Sequence, residues 1–110
     1  GVSMDVGTAF EIGYVRAQGK PVFAYSDEAS PLDYAGRMRR LGMTRGEGGL
    51  VDHDGHAIED FGLPDNLMMI GALSESGSTL VTVRDVGTAD GDAVFAECVR
   101  RAALRLKETR

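Results

Sequence analysis

The hydrophobic residues of the chain fall into short blocks whose spacing changes from helical to strand-like. Residues 6–18 carry apolar side chains at three- and four-residue steps, which predicts a helix. Asp5 or Ser3 can accept backbone N–H bonds at its start, and Gly19 suits the position just after its end. The run Val22–Tyr25 is continuously apolar, which is typical of a strand buried on both faces in a parallel sheet.

The rest of the chain continues this alternation of helix and strand. The pattern predicts helices over 31–41, 65–73 and 89–107, and a β-branched strand over 79–83. Residues 42–60 contain five glycines and many charges, which indicates a long flexible surface loop. The order of elements predicts a layered α/β domain. Two predicted strands are too few to be covered by this many helices, so further strands or a larger assembly are expected.

Composition and charge narrow the class of protein. At 110 residues, with 43% hydrophobic and 26% charged residues, the chain has the size and composition of one globular domain. Its net charge of −5 argues against a general nucleic-acid-binding surface, which needs a basic field. No apolar run approaches the ~20 residues that span a bilayer. The single cysteine, Cys98, excludes an internal disulfide framework and indicates a cytoplasmic protein.

Glu11 is the main candidate for chemistry, because it lies within the otherwise apolar helical segment AFEIGY. Gly7, one turn earlier, is expected to leave open space beside its carboxylate, and Asp5 lies just before the helix. The helix dipole favours ionised carboxylates there, and an ionised carboxylate beside free volume can act as a nucleophile. The ordinary interpretation stays open: Glu11 can be a solvated surface residue, and Asp5 an N-cap.

Other polar or unusual positions have simpler interpretations. The DHDGH stretch at 52–56 has no metal-ligand spacing, so we predict a polar loop and no metal site. Arg37 and the other arginines of 37–40 are expected on a solvated helix face. Gly13 is expected to let its helix pack closely on a sheet, and Cys98 to be buried on an apolar helix face.

Two segments resemble signatures of the nucleoside 2-deoxyribosyltransferase family. Residues 5–25, DVGTAFEIGYVRAQGKPVFAY, resemble its central motif: an Asp, a Gly-Thr pair, a Glu before a small hydrophobic residue and Gly-Tyr, then Gly-Lys-x-Val. Residues 61–69, FGLPDNLMM, resemble its second signature, an Asn-Leu-Met at a helix start. The resemblance implies that residues 1–110 form the C-terminal two-thirds of a three-layer Rossmann/flavodoxin-like domain. Its parallel sheet would be flanked by helices and lack the first strands.

The resemblance also implies roles for individual residues. Glu11 matches the nucleophile that forms a covalent 2-deoxyribosyl intermediate. Asp5 matches the acid that contacts or protonates the leaving base, and protonation calls for a carboxylic acid with a raised pKa. Asn66 matches a residue that reaches the sugar 5′-hydroxyl, often across a subunit interface. Met68 matches a residue packed near the nucleophile, and Tyr14 an aromatic that orients the carboxylate by a hydrogen bond.

The implied activity is cleavage of the N-glycosidic bond of a 2-deoxyribonucleoside and transfer of the sugar to another base, with no cofactor or metal. Gly7, Tyr14, Asn66 and Met68 would form the substrate-binding set. One alternative is an N-hydrolase of deoxynucleosides or their 5′-monophosphates, and another is a non-catalytic nucleotide-binding protein. The expected partners are a small-molecule substrate and further copies of the chain, with no nucleic-acid polymer and no membrane. A homo-oligomer is expected because a small sheet leaves apolar area uncovered.

Overall fold

The computed structural model describes residues 2–29 and 33–108 and shows a mixed α/β chain. Five helices and four short strands are present within those ranges. Their order along the chain is α1 (Val6–Ala17), β1 (Ala24–Tyr25), α2 (Tyr34–Arg40), β2 (Thr44–Gly46), β3 (Gly49–Val51), α3 (Leu67–Glu75), β4 (Leu80–Val81), α4 (Val83–Val86) and α5 (Gly91–Glu108).

The described residues form two separate two-stranded sheets. In the parallel one, β1 lies beside β4 with Tyr25 opposite Val81, and the Ser26 N–H extends the ladder by donating to the Val81 carbonyl at 2.8 Å. The antiparallel one is the β2–β3 hairpin. The α/β class is therefore confirmed, whereas the three-layer sheet stays a prediction.

The apolar core lies where α5 covers the parallel sheet. Val94 and Cys98, one helical turn apart on α5, are buried against Val81 of β4. Burial raises the pKa of the Cys98 thiol, so this cysteine is kept in its unreactive protonated form. The prediction of a buried, structural Cys98 is confirmed. The partly buried side chains that pack on this cluster are Phe23, Val83 and Val86.

The helix predictions hold better than the strand predictions. α1 and α5 agree with the predicted 6–18 and 89–107 to within two residues. The predicted strand over 22–25 is longer than β1, which spans Ala24–Tyr25. Tyr25 is 46% exposed, so the predicted burial of the strand on both faces is wrong at this residue. α2 begins at Tyr34, and residues 30–32 of its predicted start lie outside the described residues. The short helix α4 follows β4 within a stretch that was expected to be strand and loop.

The segment 42–60, expected to be an irregular loop, contains the β2–β3 hairpin. Gly49 adopts a φ of 125°, a left-handed backbone conformation that few residues other than glycine tolerate, and it opens β3 just after the turn. Leu50 is only 4% exposed and so anchors the hairpin to the rest of the chain. The prediction of a long surface loop did not include this hairpin, and the flexibility of the segment stays a prediction.

Two further expectations are corrected by the packing. A side chain at Gly13 would meet no atom within 4 Å in the described part of the chain, so close packing of α1 on a sheet at this point is not seen. Arg37, expected to be solvated, is 8% exposed and hydrogen-bonded to backbone carbonyls. Of the helices in the described ranges, none is both long and apolar enough to cross a membrane.

Candidate active site

Asp5 begins α1 and uses its whole carboxylate to cap it. Oδ1 accepts the Gly7 N–H at 2.7 Å and the Thr8 N–H at 3.2 Å, and Oδ2 accepts the Thr8 hydroxyl at 2.7 Å. The Thr8 hydroxyl above all, and then the Thr8 and Gly7 N–H groups, lower the pKa of Asp5. The raised pKa expected of a proton donor is therefore absent, and this geometry makes Asp5 an acceptor of hydrogen bonds.

Gly7 makes room for that cap. A Cβ placed on Gly7 would lie 3.0 Å from Oδ1 of Asp5. No side-chain atom of Glu11 would lie within 4 Å of that Cβ. The absence of a side chain at Gly7 therefore serves the Asp5 carboxylate, not the Glu11 carboxylate as the sequence suggested.

Glu11 stands at the edge of an apolar cleft of about 420 Å³ that we call the α1 cleft. Its walls come from one face of α1, including Thr8 and Ile12, and from residues 21–25 around β1. Glu11 is exposed, and its side chain makes no hydrogen bond or ion pair with any residue in 2–29 or 33–108. A carboxylate without a protein partner beside an apolar wall is available to a ligand.

A second space, the loop cleft, adjoins the α1 cleft and shares four lining residues with it: Thr8, Ile12, Ala24 and Tyr25. It has a volume of about 370 Å³ and extends over residues 26–28, just past the carboxyl end of β1. Its remaining polar wall includes Arg37 and Asp65. Ligands of open α/β sheets bind outside the carboxyl ends of parallel strands, which is where this cleft lies.

Buried hydrogen bonds fix the loop that leads into Asp5. Asp65, 8% exposed, accepts the Ser3 hydroxyl at 2.5 Å, the Met4 N–H at 2.9 Å and the Asn66 N–H at 2.7 Å. The Arg37 guanidinium adds bonds to the carbonyls of Val2, at 2.8 Å, and Pro64. We call the hydrogen bonds that Asp65 and Arg37 make to residues 2–4, 64 and 66 the N-terminal strap. It brings the two motif segments of the sequence together.

Asn66 is the N-cap of α3, and its side chain is held at both ends. Oδ1 accepts the Met68 N–H at 2.9 Å, which is the usual capping bond. Nδ2 donates to Oε1 of Glu59 at 2.7 Å. The other Glu59 oxygen, Oε2, accepts the Leu67 N–H at 2.8 Å, so one carboxylate binds both the cap and the first turn of α3.

Tyr14 and Met68 lie on the surface, 61% and 79% exposed. The ring of Tyr14 stacks with that of Phe10, their centroids 6.5 Å apart and their planes 18° apart. In the described part of the chain no hydrogen bond joins Tyr14 to Glu11, so the expected orienting contact is not present there. Val6, Phe10 and Tyr14 are spaced four residues apart and form one exposed apolar stripe on α1.

The 52–56 stretch forms a tight polar turn. Ligand atoms of Asp52, Asp54 and His56 lie within 4.8 Å of one another. Asp52 already accepts the N–H groups of Asp54 at 2.9 Å and His56 at 2.8 Å, and the His56 N–H bond in particular lowers the pKa of Asp52. These bonds account for the grouping as turn chemistry.

Three residues of this region were missed as functional candidates. Thr8 could have been found, because it lies three residues after a helix-start Asp and one turn before Glu11. Asp65 directly precedes Asn66 in the second motif, but its burial depends on a contact with residue 3. Glu59 carries no signal, because its bond to Asn66 joins a loop residue to a helix cap without any periodic spacing.

The elements and clefts place the chain in the α/β class, with capped helices and carboxylates grouped where a parallel strand ends. The model of one family, nucleoside 2-deoxyribosyltransferase, matches residues 1–68, and the chain belongs to that family. The match includes both motif segments, around Glu11 and around Asn66. No curated protein and no solved structure matches the chain.

Proposed function

We propose that the protein cleaves the N-glycosidic bond of 2-deoxyribonucleosides and passes the sugar to a second base, with Glu11 as the nucleophile. The observation that carries the proposal is the state of Glu11. It is exposed at the edge of the α1 cleft without a partner in the described residues, inside the segment that the family model matches. Asp5, by contrast, already accepts capping hydrogen bonds at both of its carboxylate oxygens.

The chemistry proceeds in two displacements at the anomeric carbon. A Glu11 oxygen bonds to C1′ as the bond from C1′ to the base nitrogen breaks, and the departing base takes that electron pair. A nitrogen of the second base then bonds to C1′, the Glu11 ester bond breaks, and the carboxylate is regenerated. The incoming base loses a proton when its nitrogen bonds to C1′. The departing base gains a proton at the nitrogen that was bonded to C1′, so the cycle balances. No cofactor is needed in this scheme.

Within this proposal, Asp5 and Asn66 bind substrate. Because its pKa is lowered, Asp5 is assigned to accept a hydrogen bond from the base, which is the contact role and not the protonating one. Asn66 is assigned to the sugar hydroxyl and Met68 to the apolar side of the sugar. Tyr14 and Gly7 are assigned supporting places near the nucleophile and the Asp5 cap.

We further assign the exposed stripe of α1, together with Met68, to a contact between two copies of the chain. Val6 is 89% exposed, Phe10 74%, and Met68 79%, and large apolar side chains grouped on a surface favour association. α1 contacts α3, so a partner seated on this stripe would also approach Asn66. A cytoplasmic location and a three-layer sheet around β1 belong to the same proposal.

Hydrolysis is the closest alternative, because the same glycosyl ester can be attacked by water. Non-catalytic binding of nucleotides is the second. Incubation with deoxyadenosine and free cytosine, followed by chromatography, separates the three. New deoxycytidine indicates transfer, adenine without deoxycytidine indicates hydrolysis, and neither product supports binding alone.

Replacement of Glu11 by Gln tests the nucleophile. We expect base release to fall by about 10⁴-fold or more, because removal of a nucleophile leaves only binding and orientation. Intact mass after incubation should show a sugar adduct on the wild type and none on Glu11→Gln. Glu75→Gln, at an exposed glutamate in the last turn of α3, is the matched control and should retain full activity. Full activity of Glu11→Gln would refute the assignment.

A further inference from the structure

We propose that Glu59 is a positioning and specificity residue: it turns the Asn66 amide so that only an N–H faces the substrate, and its charge selects a neutral sugar hydroxyl over a 5′-phosphate. The inference rests on the proposed function. It deepens that function by naming Glu59 as the residue that positions Asn66 and disfavours a 5′-phosphate there.

The orientation of the Asn66 amide follows from its two neighbours. The Met68 backbone N–H can only donate, so the atom facing it must be the amide oxygen. The Glu59 carboxylate can only accept, so the atom facing it, at 2.7 Å, must be the amide nitrogen. Because both neighbours are unambiguous, the amide cannot turn over without losing both bonds.

One hydrogen of the amide is left for a ligand. Nδ2 carries two hydrogens, and within residues 2–29 and 33–108 its bond to Glu59 is the single one it makes. Oδ1 is occupied by the helix cap. Asn66 can therefore donate to a substrate oxygen but is poorly placed to accept from one, and a sugar hydroxyl oxygen satisfies that donor.

Glu59 also sets the charge at this position. An oxygen that accepts the second Nδ2 hydrogen lies about 5 Å from the Glu59 oxygen that accepts the first, because the two N–H bonds of an amide diverge. A neutral hydroxyl is compatible with that carboxylate, whereas a phosphate dianion is repelled. The nearby cation Arg39 does not relieve this repulsion, because it is paired with Asp60 at 2.5 Å.

The test compares Glu59→Gln with Glu75→Gln, at the exposed glutamate in the last turn of α3, as the control. The kcat/KM for deoxyadenosine and for deoxyadenosine 5′-monophosphate is measured with each protein. In Glu59→Gln we expect the preference for the nucleoside over the monophosphate to fall by about tenfold, because one negative charge near the binding position is removed. Glu75→Gln should leave that ratio unchanged. A purely structural role for Glu59 would lower both rates together and leave the ratio unmoved.

A second readout does not need catalysis. The side-chain N–H signals of Asn66, followed by ¹⁵N-resolved NMR, should shift in Glu59→Gln and stay in place in Glu75→Gln. Unchanged signals together with an unchanged ratio would overturn the proposal. If the wild type neither releases nor exchanges base, the proposed function fails separately, and the ratio is then taken from the Kd values of the two compounds. Equal Kd ratios in wild type and Glu59→Gln, or no binding of either compound, would also overturn it.

Discussion

The C-terminal region, from β4 to α5, and the N-terminal region, from Asp5 to Asn66, are held together by different interactions. In the first, Val81, Val94 and Cys98 form a buried apolar cluster. In the second, buried polar groups of the N-terminal strap make the long-range contacts, and large apolar side chains such as Phe10 are left exposed. The difference indicates that apolar burial holds the C-terminal region, whereas polar contacts hold the N-terminal region and leave its apolar side chains exposed to ligands and partners.

The largest effect on stability is expected at the N-terminal strap. Asp65→Ala should lower the free energy of unfolding by about 3 kcal/mol, because it leaves the Ser3 hydroxyl and the Met4 and Asn66 N–H groups without an acceptor. Chemical denaturation measures the change. Asp60→Asn, which removes a more exposed pair with Arg39, is the control and should change stability by less than about 1 kcal/mol. Equal effects of the two would show that the Asp65 carboxylate stabilises the fold no more than an exposed ion pair does.

A substitution in the buried cluster on α5 should lower the free energy of unfolding by a smaller amount. Val94→Ala removes two methyl groups from a fully buried side chain and should cost about 2 kcal/mol. Val99→Ala, on the exposed face of the same helix, is the control and should cost far less, since Val99 is 50% exposed. Equal losses at the two positions would show that α5 is covered on both faces.

A stabilising change is available in α1. Gly13→Ala should raise the free energy of unfolding by about 0.5–1 kcal/mol, because alanine is the better helix former and its Cβ would meet no atom within 4 Å in the described residues. Thermal melts measure the shift. Gly7→Ala is the contrasting variant and should gain less or lose stability, because its Cβ would press on the Asp5 carboxylate at 3.0 Å. A loss at Gly13 would indicate that another surface packs there.

The smallest expected effect concerns the stability of the fold at acidic pH. Arg100 first, and then Arg101, lower the pKa of Glu97 from 4.5 to about 2 by hydrogen bonding. A carboxyl group with a lower pKa in the folded state stabilises the fold above pH 4.5, and that contribution is lost as the pH falls toward 2. Glu97→Gln should therefore flatten the decline of the melting temperature in this range. Glu108→Gln, at the exposed end of α5, should leave the decline as in the wild type.

The sequence predicts the parts of the fold that depend on local rules. The cap at Asp5, the end of α1 and the buried face of α5 follow from residue types and helical spacing, and the structure has them. The family was also accessible, because its motif is a contiguous string that includes Glu11.

What could not be predicted depends on distant contacts. The burial of Arg37 and the hairpin in 42–60 are set by backbone carbonyls and by a single apolar anchor, Leu50, that no periodicity marks. The use of Gly7 to accommodate a capping carboxylate, instead of the nucleophile, depends on the side-chain rotamer of Asp5. The hydrogen bond between Glu59 and Asn66 likewise depends on side-chain positions that no sequence pattern marks.

The N-terminal strap has a consequence for the order of folding. Its bond between Ser3 and Asp65 joins residues 62 positions apart, so the loop between them must close before the strap can form. Contacts of such long range form slowly compared with a helix such as α1. During synthesis, α1 can therefore exist with its Glu11 in place well before residue 65 has been added to the chain. The arrangement of both motifs around the loop cleft is then a late event, and a newly made chain acquires it only after Asn66 has been translated.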